Sequence, residues 1–383
     1  MATFIEGLTA AQCWTCGHFY RLFFADSISL NTGEVLPKMA SPLGNPETEG
    51  RARIMAGERL PISFSETIDY GSAAQSGAAF KPSKHAVLAL LERGSGMVDA
   101  PVHVMVPNKA SRLDTAGIIC HVSSATPRPG SFVRGYDEDM LIAGPELCVL
   151  QLALKMPLPK LSQLVTELCS TYYFILAESS DLERGEDGAL RTVSTFRKRA
   201  CSNRAVPVSC LWAMGRWSEQ CTSSKAGRAM ARAVRYAVEG SASPMETALA
   251  LMLSLPKNLG GYGLPKPQMN WVILVDAGSQ LVRVADLFWP EASIALEYDS
   301  DAFHTEKEKI RLDSLRRNQL GAQSVTVFTA TAQHLSTLDA LDELAAQLSR
   351  VLGRPLHRNR LAPPARRETL LHMLKHHSLE GLR

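Results

Sequence analysis

Residues 269–299 read MNWVILVDAGSQLVRVADLFWPEASIALEYD, and residues 304–328 continue HTEKEKIRLDSLRRNQLGAQSVTVF. Apolar runs of strand length, separated by DAGSQ and PEA, predict three strands in a meander. The polar stretch after them predicts a helix, and SVTVF a fourth strand. Side chains alternate across a strand, so Ala295, Glu297 and Asp299 share one face while Ile294, Leu296 and Tyr298 take the other. Two acids on one face of an otherwise apolar strand are costly to bury alone. A divalent cation compensates for them, because hard cations take carboxylate oxygens. Asp286, expected at the end of the preceding strand, leans toward the same ion.

Further out, Ser243-Pro244-Met245-Glu246 predicts a helix start, with Ser at the N-cap and Pro at the first helical position. Ser223–Glu239 predicts a basic amphipathic helix with Met230, Ala233, Val234 and Ala237 on its apolar side. It belongs to a stretch from Arg191 to Arg235 holding Arg191, Arg197, Lys198, Arg199, Arg204, Arg216, Lys225, Arg228, Arg232 and Arg235 against Glu219 alone. Such a surface tracks phosphates or is a solvated helix face with a linker. The net charge of +3 over 383 residues does not by itself announce a nucleic-acid partner.

Asp286-Leu-Phe-Trp-Pro290, Glu297-Tyr298-Asp299, His304, and Asp313 with Arg316 together resemble the PD-(D/E)xK nuclease superfamily, in its very-short-patch-repair (Vsr)-like branch. Glu246 resembles the acid on that family's first helix, and the likeness runs from Ala242 to Arg350. It implies an α/β fold (α+β over the whole chain) with a mixed sheet flanked by helices, like restriction endonucleases. It implies Mg²⁺ or Mn²⁺ held by Glu246, Asp286 and Glu297, with Asp299 as a third ligand or orienting the attacking water. His304 would protonate the leaving group or contact phosphate. Arg316 would clamp phosphate or pair with Asp313. Outside that likeness, the basic helix is expected to put Lys225, Arg228 and Arg232 against DNA. Where the wider fold has Lys, this chain has Asp299, as the Vsr-like branch does. Ser300 and Phe303 stand where that branch has Gly and a first His. Two functions follow: a metal-dependent DNA endonuclease in defence or repair, or a non-enzymatic DNA-binding regulator with an inactive nuclease core.

Upstream, Ser83 caps an expected helix KHAVLALLERG, and Val102–Val106 and Ile118–Val122 alternate as strands. ELCVLQLALKM and LSQLVTELCSTYYFI are expected to be helices. This region resembles AbiEi-like antitoxins and regulators, which implies a toxin as a protein partner and carries no catalytic motif. His103 and His121 on neighbouring strands suggest a metal pair, against locally hydrogen-bonded histidines. The expected organisation is 1–82 of unassigned role, 83–240 as the antitoxin-like α+β region, 241–352 as the nuclease-like domain and 353–383 as a basic, partly flexible tail. Eight scattered cysteines, a lone Cys13-Trp-Thr-Cys16 beside His18, no secretion signal and no apolar run of about 18 residues point to the reducing cytoplasm and away from a membrane.

Overall fold

The computed structural model describes residues 3–15, 82–94, 98, 100–123, 128, 130–134, 140–184, 190–203, 207–276, 281–299 and 320–382. They form two compact units, one from residues up to 151 with 173–203, the other from 152–172 with the residues after 206. Among the described residues, no helix is long and apolar enough to cross a membrane.

The first unit holds a five-stranded sheet of β1 (Thr3–Ile5), β2 (Val102–Val106), β3 (Ile118–Val122), β4 (Phe132–Arg134) and β5 (Met140–Ala143), in the order β3-β2-β1-β5-β4. Strand β1 sits at the centre, antiparallel to β2 and parallel to β5. Helix α1 (Gly7–Thr15) packs on β2 and β5, and Trp14 Nε1 donates to Ala143 O at 2.7 Å. Helix α2 (Lys84–Gly94) falls where the sequence places it, Ser83 Oγ accepting from Ala86 N as a cap, while α3 (Pro145–Leu152) ends short of the expected Met156. A two-stranded ribbon, β6 (Tyr172–Arg184) with β7 (Leu190–Asn203), completes the unit.

The second unit begins with α4 (Leu158–Leu168), whose Leu161, Leu164, Val165 and Leu168 are all buried. The helix stops at Cys169, short of the expected TYYFI. That run is aromatic and β-branched, and it enters β6 instead. Similarly, Arg191–Arg199 lies on strand β7. Helices α5 (Leu211–Gln220), α6 (Lys225–Tyr236) and α7 (Pro244–Ser254) follow. A mixed four-stranded sheet then runs in the order β11-β10-β9-β8, from β8 (Gln268–Asp276), β9 (Leu281–Trp289), β10 (Ile294–Asp299) and β11 (Thr326–Thr331). Its meander is antiparallel, and β11 joins parallel to β10. Helices α8 (Leu338–Val351) and α9 (Pro364–Lys375) close the unit.

One core fills the space between the sheet and these helices. From the sheet come Met269, Leu287, Trp289, Ile294 and Leu296; from α7, Ala248 to Leu253; from α8 and α9, Leu344, Leu348, Leu370, Leu371 and Leu374. Helix α7 is apolar all round, as a central helix must be. Each buried leucine contributes about 1.5–3 kcal/mol. Within residues 353–383, α9 packs on α7. Arg367 on α9 pairs with Asp342 on α8, and Tyr262 donates to that carboxylate at 2.6 Å.

Candidate functional site

The acids cluster where α7 begins and where the meander breaks its alternation. Ser243 caps α7, its Oγ accepting from Glu246 N, with Pro244 at the first helical position. That geometry turns the Glu246 side chain back toward the preceding loop, where Oε2 accepts from Ala242 N at 2.9 Å. The same oxygen accepts from Asn270 Nδ2 at 2.8 Å, and Asn270 also donates to Gly240 O at 3.0 Å.

Asn270 has φ of 50°, the left-handed region that Asn tolerates better than most residues. The consequence runs across two strands. Met269 and Trp271 are two apart on β8, yet Met269 enters the α7 core and Trp271 packs in a second core on the other side with Phe288, Ala295 and Val325. On β9, Leu287 and Ala285 split in the same way. The pairs Met269–Leu287 and Trp271–Ala285 keep one register across this slip of faces, which sets Asn270 and Asp286 opposite each other. Asp286 thus lies inside β9, not at its end as expected, because the strand continues to Trp289.

The Asp286 carboxylate leaves the ladder at this slip. The β9–β10 register pairs Ile294 with Trp289, Ala295 with Phe288 and Leu296 with Leu287. Continuing it by one step puts Glu297 opposite Asp286. Beyond Leu296, Asp286 Oδ2 accepts the amide of Tyr298 at 2.8 Å, replacing a backbone partner. Glu297 and Asp299 are half-buried and sit beside Thr329 and Thr331 of β11. Burial, and then the charge of Asp299, push the Tyr298 phenol up from its ordinary value.

Glu246 carries the electrostatic signature of the site. Burial first, and then the facing charge of Asp286, push its carboxyl up from 4.5 to about 7. The bonds from Ala242, Asn270 and Ser243 pull the other way and lose. Two carboxylates thus face each other, one of them buried with its charge opposed. Among the described residues, no three or more His, Cys, Asp or Glu side chains come together as a group able to hold a metal ion. The expected gathering of Asp286, Glu297 and Asp299 into one sphere is therefore not drawn in full. A hydrogen bond joins Glu246 to Asn270, and the strand register sets Asp286 opposite Asn270.

His304, Asp313, Arg316, Ser300 and Phe303 lie outside the described residues, as do Cys16 and His18. Lys225, Arg228 and Arg232 are exposed on α6. His103 Nδ1 and His121 Nε2 are hydrogen-bonded at 2.9 Å, with Glu6 Oε1 3.8 Å from His121 Nδ1, so this pair meets the locally bonded expectation. Asn270 was missed by sequence reasoning. Its one signal is an Asn set among the apolar residues of MNWVILV. In comparisons with known proteins, no family model, no curated relative and no solved structure matches this chain.

Proposed function

We propose that residues 241–352 form a PD-(D/E)xK-type, Vsr-like nuclease core that hydrolyses DNA phosphodiesters with Mg²⁺ or Mn²⁺. The observation that carries this proposal is the buried Glu246 facing Asp286, two hard-oxygen donors whose repulsion a divalent cation would relieve. Such a cation is commonly held by one or two carboxylates together with water and substrate phosphate, so the donor set fits it. Support also comes from the order of helix, three-stranded meander, strand and helix among the described residues; the further helix that the resemblance implies between meander and strand falls outside them. Glu246, Asp286 and Glu297 would hold the ion. When bound, it supplies Lewis acidity to the phosphate and to an attacking water.

The chain's own residues do the rest. Ala242 N and Asn270 fix Glu246 Oε2, and Tyr298 N fixes Asp286 Oδ2, so neither carboxylate must reorganise when the ligand arrives. Asp299 orients the water, His304 gives a proton to the leaving oxygen, and Arg316, free of Asp313 or paired with it, holds phosphate. The setting is the reducing cytoplasm, with DNA as partner and a toxin as a further partner if the antitoxin-like resemblance holds.

A second reading has its own observation. The same three donors satisfy Glu246 Oε2 and Asp286 Oδ2 without an ion, so the site can persist in a regulator that binds DNA and never cleaves it. Plasmid and single-stranded DNA, incubated with Mg²⁺ or Mn²⁺ and either wild type or Glu297→Gln, separate the two. The nuclease nicks or cuts with the wild type, and the variant loses at least about 100-fold, the effect of removing several kcal/mol of charge stabilisation. DNA bound equally by both proteins, with no cleavage from either, leaves the regulator.

A further inference from the structure

We propose that α5, the turn after it and α6 form a helix–turn–helix that seats α6 in the major groove of duplex DNA without any metal ion. This goes beyond the nuclease proposal and does not rest on the acidic site.

The turn comprises residues 221–224, the length such motifs use. It is pinned at both ends. Ser224 Oγ accepts from Gly227 N at 2.9 Å and donates to Cys221 O at 2.9 Å. Arg228 Nη1 donates to Thr222 O and Ser223 O at 3.0 and 3.1 Å. A Cβ at Gly227 would stand 2.0 Å from Cys221 O, so only glycine lets α6 press this closely on the turn. The inner face of α6, with Gly227, Met230 and Ala233, is buried, and α6 packs on both α4 and α5.

The outer face carries Lys225, Arg228, Arg232 and Arg235, all exposed. Their spacing of three, four and three residues makes one stripe. Helix α6 contains no acidic residue. The flanking acids are engaged elsewhere: Glu239 Oε2 accepts from Leu211 N at 2.9 Å, and Glu219 pairs with Arg216 at 3.6 Å. A helix that is merely solvated interleaves both signs, and this one does not. The stripe spans about 15 Å at the helical rise. On α5, Trp212 is 74% exposed and stands one turn before Arg216, on the helix that crosses the backbone in this motif.

Duplex DNA fits better than the other nucleic acids. Single strands are bound by grooves with stacking aromatics, and the only aromatic on α6 is Tyr236 at its last position. Duplex RNA has a major groove too deep and narrow for a helix.

The test is fluorescence anisotropy of the full chain with a random-sequence duplex and its single strand, in EDTA, across a salt series. Three phosphate contacts from Lys225, Arg232 and Arg235 weaken wild-type duplex binding roughly 40-fold between 50 and 200 mM salt. Lys225→Gln/Arg232→Gln/Arg235→Gln should flatten the logarithmic salt slope by about 3 while its far-UV spectrum and melting stay those of wild type. Arg228 is left in place because it holds the turn. The proposal is overturned if the duplex is not bound in EDTA, if the single strand binds as tightly, or if the triple variant keeps its slope. Binding in EDTA without cleavage in Mg²⁺ removes the nuclease alone; cleavage with an unchanged slope in the triple variant removes the helix–turn–helix alone.

Discussion

Glu167 and Glu246 are both buried acids of the second unit, and their neighbours treat them in opposite ways. Glu167, near the end of α4, is 3% exposed. It accepts from Ser378 N, Ser378 Oγ and Gln163 Nε2, and His377 Nε2 lies 3.3 Å away. Gln163 and Lys160 also donate to the carbonyls of His376 and His377, so the residues after α9 are latched onto α4. Three hydrogen-bond donors and an imidazole surround the carboxylate, and the latch is structural. Glu246 is 8% exposed, has two donors on one oxygen, and faces another carboxylate. Burial alone therefore does not mark a site. A buried acid set against a second acid does, because that arrangement costs stability and persists where a cation or a proton offsets it.

Removing each acid sharpens the contrast. The larger effect is expected at Glu167, where Glu167→Ala leaves buried donors and His377 without their carboxylate. It should cost about 3–5 kcal/mol in urea unfolding and leave any Mg²⁺ response of the protein intact. A loss under about 1 kcal/mol would mean that the latch is not holding the chain end.

At Glu246 the sign reverses. Its folded carboxyl titrates at about 7, above the 4.5 of the unfolded chain, so between those values the native state carries more protons. Stability then falls as pH rises from 4.5 to 7, by up to about 3 kcal/mol, and is regained on acidification. Glu246→Gln keeps an oxygen for Ala242 N and Asn270 but removes the charge. The variant should be the more stable protein above pH 7, with the difference closing toward pH 4.5. Parallel pH profiles for wild type and variant would show that Asp286 and Glu246 do not oppose each other in solution.

Much of the second unit was legible in the sequence because its signals are local. Ser243-Pro244-x-Glu246 announces a capped helix, and the alternation of Ile294 to Asp299 announces a half-buried strand. The slip at Asn270 was not legible, since a single left-handed residue changes which face its neighbours occupy without changing the apolar pattern. Strand β1 has three residues, too few for any periodicity, yet it is the middle of its sheet. The spacing of Leu161, Leu164, Val165 and Leu168 predicts a helix that runs on to Ile175, while Tyr172, Tyr173 and Phe174 favour the strand they enter. Helix α9 and the Glu167 latch depend on partners up to 217 residues away, which no local pattern encodes.

The proposed divalent cation lies between Glu246 and Asp286. Thermal melting at pH 8, with and without millimolar Mg²⁺, tests it without requiring turnover. At tenfold above its dissociation constant, Mg²⁺ should raise the wild-type Tm by about 3–6 °C. Glu246→Gln and Asp286→Asn, each lacking one ligand charge, should lose most of that rise. A wild-type Tm that Mg²⁺ leaves unchanged would contradict the claim and leave the two acids as a destabilising pair held only by Asn270, Ala242 and Tyr298.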